Sequence, residues 1–135
     1  FRATVELLER QRAALPEPDG PCWVHFDYRP GNVLVQGARI TGLIDFESAR
    51  GGSGDLDFVK IKGRVWDRYP STKEPFLHGY ASVRALPDFE RTLPYYELRN
   101  AFGGIAWCVR RSDTDDPFFA ENMRTLKRLL AASEP

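Results

Sequence analysis

Apolar side chains recur at helical spacing over residues 2–15 of the chain. Val5, Leu8 and Leu15 share one side of the helix that this spacing predicts, and charged residues lie largely on the other side. A cluster of prolines and glycine from Pro16 to Pro21 then ends the helix, because proline removes a backbone donor and glycine favours turns. A new element is therefore expected at residue 22.

Three short β-prone runs follow, at residues 22–26, 33–35 and 39–44. The first predicts a buried strand that leads into a loop from Asp27 to Gly31. The other two surround Gly37 and predict a hairpin whose second arm ends at Asp45. All strands are therefore expected between residues 22 and 46.

The chain after Phe46 predicts a mobile loop and then helices. Residues 48–55 (SARGGSGD) are rich in glycine and serine, and either Asp55 or Asp57 is placed to cap the helix that follows. Helices are expected over residues 57–69, over 75–85 after a Ser-x-x-Glu capping box at Ser71, over 88–111, and from Asp116-Pro117 to the end. The last helix has an apolar face made of Phe119, Met123, Leu126 and Leu130. These elements predict an α+β fold that is predominantly helical.

Composition excludes several classes of function. Among 135 residues, 19 Lys plus Arg balance 19 Asp plus Glu, so no overall field attracts nucleic acid or an anionic membrane. No apolar run approaches the roughly 20 residues of a membrane-spanning helix, and the N-terminus lacks the order of a signal peptide. We therefore expect a cytoplasmic protein without a nucleic-acid or membrane partner. Cys22 and Cys108 have no ligand-like spacing and are expected to be reduced core thiols.

The polar side chains of the predicted β region form an ordered motif. His25, Asp27 and Asn32 follow the pattern His-x-Asp-x-x-x-x-Asn, and Asp45 lies further along at the end of the hairpin. Hairpin arms pair, so the end of the second arm lies beside the loop at the base of the first. We therefore expect Asp45 to lie near Asn32.

This motif, with the segment GLIDFESARGGSGDLDF that follows it, resembles the catalytic core of the aminoglycoside phosphotransferase and choline kinase family. These are small-molecule kinases related to protein kinases. The resemblance covers nearly the whole chain and is strongest in residues 24–58. It implies that residues 1–135 form a protein-kinase-like C-terminal lobe, in which a small β-hairpin carries the catalytic loop. Residues 22–58 would hold that loop and the metal site, and residues 59–135 would form a helical subdomain.

The resemblance also implies a nucleotide-binding N-terminal lobe that is absent from this chain. No glycine-rich phosphate loop and no strand lysine precede the motif. The surface that would face such a lobe, around Trp23, Phe26 and Phe46, is expected to be exposed and apolar, which favours self-association or binding of a partner chain through it.

The expected reaction is the transfer of a phosphoryl group from ATP or GTP to a hydroxyl group of a small molecule, with Mg²⁺ as cofactor. Asp27 is the expected catalytic base that orients the hydroxyl and accepts its proton, with His25 fixing the geometry of the loop. Asn32 and Asp45 supply oxygen ligands for Mg²⁺ and, with Arg29, bind the nucleotide phosphates.

Four further features have structural or open roles. Gly31 lets the backbone approach phosphate or metal, and Asp57 is expected to cap a helix and brace the loop. Glu47 is either an auxiliary metal ligand or a solvated acid. The acidic cluster Asp113, Asp115 and Asp116 either recognises a cationic substrate or begins a helix.

Alternative functions remain open. Phe26 stands where the family usually has glycine, and this favours a non-catalytic kinase-like binding module. Ser53 replaces an aspartate that is common in the loop before Asp57. A metal hydrolase that uses His25, Asp27 and Asp45 is a weaker alternative, because zinc sites usually recruit more histidines. Aminoglycoside, choline-like, macrolide and sugar acceptors are all compatible with the motif.

Overall fold

A computed structural model of the chain describes residues 1–16 and 22–133. It divides into two compact units, one made of Phe1–Pro16 with Phe89–Pro135 and the other of Glu17–Asp88. Apart from Pro16, the predicted breaker cluster lies outside the described residues. The described chain is mostly helical with small antiparallel sheets, in agreement with the α+β class. None of its helices is both long and apolar enough to cross a bilayer.

The helices of the described residues are α1 (Arg2–Ala13), α2 (Asp55–Ile61), α3 (Lys73–Ala81), α4 (Phe89–Arg110) and α5 (Pro117–Ala131). The strands are β1 (Cys22–Val24), β2 (Val33–Gln36), β3 (Arg39–Leu43) and β4 (Arg50–Gly52). A π-helical turn at Lys62–Trp66 continues α2, and short 3₁₀ turns lie at Pro30–Asn32, Phe46–Ser48 and Pro70–Thr72.

Helices α1, α4 and α5 form the first unit around a shared apolar core. Its buried centre consists of Leu7, Leu98, Ile105 and Leu126. The predicted face of α5 is confirmed, since Phe119, Met123 and Leu130 pack against this centre. The Asp116 cap is also confirmed, because its Oδ1 accepts a hydrogen bond of 2.8 Å from the Phe118 amide. The predicted face of α1 is wrong at Val5, which is 42% exposed, because Leu7 is the residue that enters the core.

Helices α4 and α5 approach closely at Gly104. A Cβ atom at this position would lie 2.7 Å from Cγ and Nδ2 of Asn122. Asn122 is buried and its Nδ2 donates a 2.7 Å hydrogen bond to the Phe118 carbonyl, so it has little freedom to move. The neighbouring Gly103 has open space where its Cβ atom would be.

This pair of glycines predicts opposite effects of the same substitution. Gly104→Ala is expected to lower the free energy of unfolding by about 1–3 kcal/mol, because the new methyl group overpacks the contact with Asn122. Gly103→Ala is expected to raise it by about 0.5–1 kcal/mol, since alanine is the better helix former. Urea unfolding of both variants measures the difference. Equal effects would contradict the close approach of the two helices.

Two small sheets organise the second unit. Strands β2 and β3 form the predicted hairpin, with Val33 opposite Leu43. Strand β1 pairs with β4, and Trp23 lies opposite Gly51. The expectations of a mobile loop at residues 48–55 and of strands confined to residues 22–46 are therefore both wrong. Glycine-rich residues 50–52 have weak strand propensity, but pairing with β1 supplies the hydrogen bonds that hold them extended.

The helix starts of this unit also differ from the predictions. Helix α2 begins at Asp55 after Gly54, and no side chain caps it. Helix α3 begins at Lys73 and ends at Ala81, and the predicted capping box is wrong because no side chain caps this helix either. The hydroxyl of Thr72 instead donates a 2.7 Å hydrogen bond to the Tyr69 carbonyl of the preceding turn. The buried centre of the unit consists of Val24, Phe58, Val59, Ile61 and Trp66.

Candidate active site

The carboxylate of Asp57, on the first turn of α2, holds the loop that follows β1. Its Oδ2 accepts a 3.0 Å hydrogen bond from the His25 amide, and its Oδ1 accepts one of 2.7 Å from the Phe26 amide. Asp57 therefore braces the loop as predicted. It does so through backbone groups that lie 31 and 32 residues earlier in the chain, and not as a helix cap.

This bracing fixes an unusual conformation at Phe26. Its φ is 71°, in the left-handed region, which costs a residue with a side chain roughly 1–2 kcal/mol. Glycine adopts this conformation without strain, so Phe26 occupies a position whose backbone suits glycine. The ring of Phe26 lies 4.1 Å from the guanidinium of Arg50 on β4, a cation–π contact that offsets part of this strain.

The buried ring of His25 connects the loop to the end of the hairpin. Nε2 lies 2.8 Å from the Ile44 carbonyl oxygen, and Nδ1 accepts a 3.3 Å hydrogen bond from the Asp27 amide. A carbonyl oxygen can only accept, so Nε2 carries the proton and the ring is neutral in this arrangement. The ring also packs against Phe46, with centroids 4.5 Å apart. His25 thus has the structural role of fixing loop geometry, and it positions the segment that carries Asp45.

The carboxylate of Asp27 is held by three side chains. Its Oδ2 accepts hydrogen bonds from Nε of Arg29 at 2.9 Å and from Nδ2 of Asn32 at 3.0 Å. Burial alone raises the pKa of the Asp27 carboxyl, but the hydrogen bond from Arg29 and the positive charges of Lys60 and Arg29 outweigh it, so the pKa lies below its usual value. Asp27 is therefore a carboxylate near neutral pH.

Asn32 lies buried beneath Asp27, with its amide orientation determined by two acceptors. Its Nδ2 donates both to the Asp27 carboxylate and, at 2.9 Å, to the Asp27 carbonyl oxygen. Because both partners are acceptors, the oxygen of the amide points away from them. The Asn32 carbonyl in turn accepts a 3.0 Å hydrogen bond from the Ile44 amide.

Asp45 directly follows Ile44, whose backbone is hydrogen-bonded to this network. Both backbone groups of Ile44 are bonded to the loop, the amide to Asn32 and the carbonyl oxygen to His25. Asp45 itself has a left-handed φ of 69° and an exposed side chain. The hydrogen bond and charge of Asp27, together with the charge of Asp45, raise the pKa of Arg29. The structure thus brings the segment of Asp45 to the loop of Asp27 and Asn32, as the hairpin geometry predicts.

Arg29 and Gly31 form a compact turn above Asp27. Arg29 is half-exposed and reaches the carboxylate through Nε. A Cβ atom at position 31 would lie 2.8 Å from Nη1 of Arg29, so the glycine makes room for the guanidinium. Gly31 therefore leaves room for the guanidinium of Arg29 beside Asp27.

Sequence reasoning missed Lys60. Its Nζ lies 3.5 Å from Oδ1 of Asp27, and its side chain is only 17% exposed. Lys60 lies on α2 one turn after Asp57. Both side chains contact the loop that follows β1, Lys60 at the Asp27 carboxylate and Asp57 at the backbone amides. The spacing from Asp57 to Lys60 is the only signal in the sequence, and it is weak without knowledge of the packing.

A model of the phosphotransferase enzyme family matches residues 1–98. The chain belongs to this family. No curated protein and no solved structure matches it. The matched residues include every side chain of the site just described. The carboxylates and cations of this site are therefore compared with the requirements of phosphoryl transfer.

The remaining residues singled out in the sequence take no part in the network around Asp27. The acidic cluster Asp113, Asp115 and Asp116 falls after the region that the family model matches and belongs to the other compact unit. Asp116 begins a helix there, and Asp113 and Asp115 are exposed. Glu47 lies exposed on the short turn that follows Asp45. Both cysteines are free thiols, with Cys108 buried and Cys22 half-buried.

The protein oxygens of the site can be compared with the ligands that metal ions prefer. Within residues 1–16 and 22–133, no group of three or more His, Cys, Asp or Glu side chains is arranged to hold a metal ion. Zinc sites use such a group, whereas Mg²⁺ is usually bound by one or two protein oxygens together with substrate phosphates and water. The exposed carboxylate of Asp45 and the amide oxygen of the buried Asn32 are oxygen donors of the second kind.

Proposed function

We propose that this phosphotransferase transfers the terminal phosphoryl group of ATP or GTP to a hydroxyl group of a small molecule. The observation that carries the proposal is the hydrogen-bond network that joins Asp27, Asn32 and the Ile44–Asp45 segment. One ionised carboxylate, one amide oxygen and one exposed carboxylate on adjoining segments of the same unit support the proposal.

Each side chain has a distinct role in this reaction. Asp27 accepts a hydrogen bond from the acceptor hydroxyl, orients it in line with the phosphorus atom and takes its proton as the new P–O bond forms. The bond from this phosphorus to the bridging oxygen breaks at the same time, and the nucleoside diphosphate leaves with that oxygen. Asn32 and Asp45 would hold Mg²⁺, which neutralises phosphate charge when bound. Arg29 is exposed enough to contact the phosphates, since it is tied to Asp27 by a single nitrogen.

Fixed charges keep the base ready for this role. A base that stays ionised at neutral pH is available for every turnover, and the cations of Arg29 and Lys60 ensure this at Asp27. Their attraction also lowers the basicity of Asp27, so it accepts the proton only late, when the nucleophilic oxygen has become acidic through bond formation.

Removal of the carboxylate of Asp45 tests the metal assignment. In the product of the complete reading frame that contains this chain, Asp45→Ala is expected to weaken the Mg²⁺-dependent part of ATP binding at least about tenfold, because one of two protein ligands is lost. Isothermal titration calorimetry with ATP in the presence of Mg²⁺, and again with EDTA, measures it.

Asp115→Ala is the matched control, because it removes an exposed carboxylate from the other compact unit. ATP binding by this variant should stay unchanged. Mg²⁺-dependent binding that survives Asp45→Ala intact would overturn the metal site proposed here. Binding without any phosphate transfer to hydroxyl compounds would instead favour the non-catalytic module.

A further inference from the structure

A cavity of about 510 Å³ lies within the unit Glu17–Asp88, on residues that the proposed reaction does not use as ligands or base. Six aromatic residues dominate its walls: Trp23, Tyr28, Phe46, Phe58, Phe76 and Tyr80. We call this cavity the aromatic pocket. Its volume lies within the range of about 300–1,000 Å³ that is typical of small-molecule sites.

The walls of the aromatic pocket are held in place by contacts between their own rings. Phe58, which is buried, makes edge contacts with Tyr80 and Phe76, with centroids 4.9 Å and 6.0 Å apart. Tyr28 lies 6.4 Å from Phe76 on the same measure. A ligand would therefore find a largely formed surface and would lose little affinity to ordering it.

The charges in the aromatic pocket do not suit a charged ligand. Among the described lining residues, Asp57 is the one carboxylate, and two backbone amides already compensate part of its charge. Arg84 is the one lysine or arginine among the described residues that line it, which is too little positive charge for a triphosphate. Burial, followed by the charge of Asp57, raises the pKa of Tyr28, so its phenol is a neutral hydrogen-bond donor. These properties match an uncharged aromatic molecule.

The mouth of the aromatic pocket is open to solvent. Trp23 is 69% exposed and Val83 is 89% exposed, and both belong to its lining. An exposed indole next to buried rings gives a flat ligand a stacking partner at the entrance. The pocket is therefore accessible as well as apolar.

Two wall residues also belong to the network of the active site. His25 bonds to the Ile44 carbonyl oxygen, and Phe46 packs on the ring of His25 immediately after Asp45. A molecule that fills the pocket contacts both His25 and Phe46, because both residues line it. Such a molecule has a higher affinity for the chain when the His25–Phe46 contact is formed than when this contact is broken.

We propose that the aromatic pocket binds an uncharged, flat aromatic molecule and that this molecule stabilises the His25–Phe46 contact beside Asp45. Asp27, Asn32 and Asp45 are not among the described lining residues, so occupancy would act on the active site through His25 and Phe46.

Three probes of one size test the class of ligand. Naphthol is uncharged, naphthalenesulfonate is an anion and naphthylmethylammonium is a cation, and all three carry the same two rings. Calorimetric titration of the 135-residue chain should show saturable binding of naphthol at least about tenfold tighter than that of either charged probe, because burial of an unpaired charge is unfavourable.

Two tryptophans provide a matched pair of variants. Trp23→Ala removes a wall and is expected to weaken naphthol binding about fivefold or more. Trp107→Ala removes a 42% exposed indole from the other compact unit and should leave the affinity unchanged. Since Trp23 is more exposed than Trp107, a loss of fold is not expected, and circular dichroism of both variants checks this. Val83→Glu, which places a charge at the mouth, is a second variant that should weaken binding.

The proposal predicts one further readout on the wild-type chain. Naphthol should slow the exchange of the Asp27 amide hydrogen, which is bonded to His25, by the same factor by which occupancy stabilises the contact. Absence of saturable naphthol binding, equal affinity for the charged probes, or unchanged affinity in both Trp23→Ala and Val83→Glu would overturn the proposal. None of these measurements requires nucleotide or turnover, so failure of the phosphoryl-transfer hypothesis would leave the result intact.

Discussion

Asp27→Asn is expected to lower the turnover number of phosphoryl transfer by about 10²–10⁴-fold, which is the usual contribution of a positioned general base. The substitution keeps the shape of the side chain and one oxygen, which can still accept the hydrogen bond from Asn32. It removes the negative charge that orients the hydroxyl and takes its proton. The KM for the nucleotide should change little, because Asp27 is not among the phosphate or metal ligands proposed here. Steady-state kinetics of the complete gene product at saturating ATP and Mg²⁺ measures both quantities.

Asp67→Asn is the matched control for this prediction. Asp67 is also an aspartate paired with a lysine, since its Oδ2 lies 3.3 Å from Nζ of Lys62, but it is 55% exposed and belongs to no network around the loop. The same change of charge there should leave turnover unaffected. Near wild-type turnover of Asp27→Asn, with wild-type folding, would remove Asp27 from the chemistry and leave it as a structural partner of Arg29 and Lys60.

The sequence predicted those parts of the fold that depend on neighbouring residues. The hairpin was predictable because alternating β-prone runs surround Gly37, whose φ of 58° is the left-handed turn conformation that glycine provides. The start of α5 was predictable because Asp116 and Pro117 stand in the order that helix starts favour. The approach of Asp45 to the loop also followed, since it depends only on hairpin geometry.

Features that depend on distant partners could not be predicted. Strand β4 has a glycine-rich sequence, and its extended form depends on pairing with β1 nearly thirty residues away. Leu7 replaces Val5 in the core because the rotation of α1 about its axis is set by its contacts with α4 and α5. The contact between Lys60 and Asp27 likewise joins residues that no local pattern relates. In each case packing decides among options that local sequence leaves equivalent.

The sequence predicted that Asp57 braces the loop but assigned it the wrong interaction, a helix cap. An aspartate next to a helix start is usually a cap, because its carboxylate satisfies amide groups of the first turn. Here α2 begins at Asp55, so Asp57 is already inside the helix and its carboxylate points to another part of the unit. The left-handed φ of Phe26, the residue whose amide Asp57 bonds, is a backbone conformation that suits glycine.

Asp57→Ala is expected to lower the free energy of unfolding by about 3–6 kcal/mol, because two hydrogen bonds to a charged acceptor are lost at about 1.5–3 kcal/mol each. It should also disorder the loop, since Phe26 keeps its strained φ only while Asp57 bonds its amide. Asp27 follows Phe26 directly, so transfer activity is expected to fall along with stability. Urea unfolding measures the first effect, and hydrogen exchange at His25 and Phe26 measures the second.

Asp55→Ala separates this bracing from the general benefit of acidic residues at a helix start. Both aspartates lie in the first turn of α2 and interact with its dipole, which is worth about 0.3–1 kcal/mol. Asp55→Ala should leave exchange at His25 and Phe26 slow, because Asp57 is the side chain that bonds their amides. Asp57→Asn should behave almost like Asp57→Ala, because the amide group offers one acceptor and turns a donor toward the second backbone amide. If Asp57→Asn were as stable as the wild type, the two hydrogen bonds that Asp57 accepts from the loop amides could not be the interaction that positions Asp27.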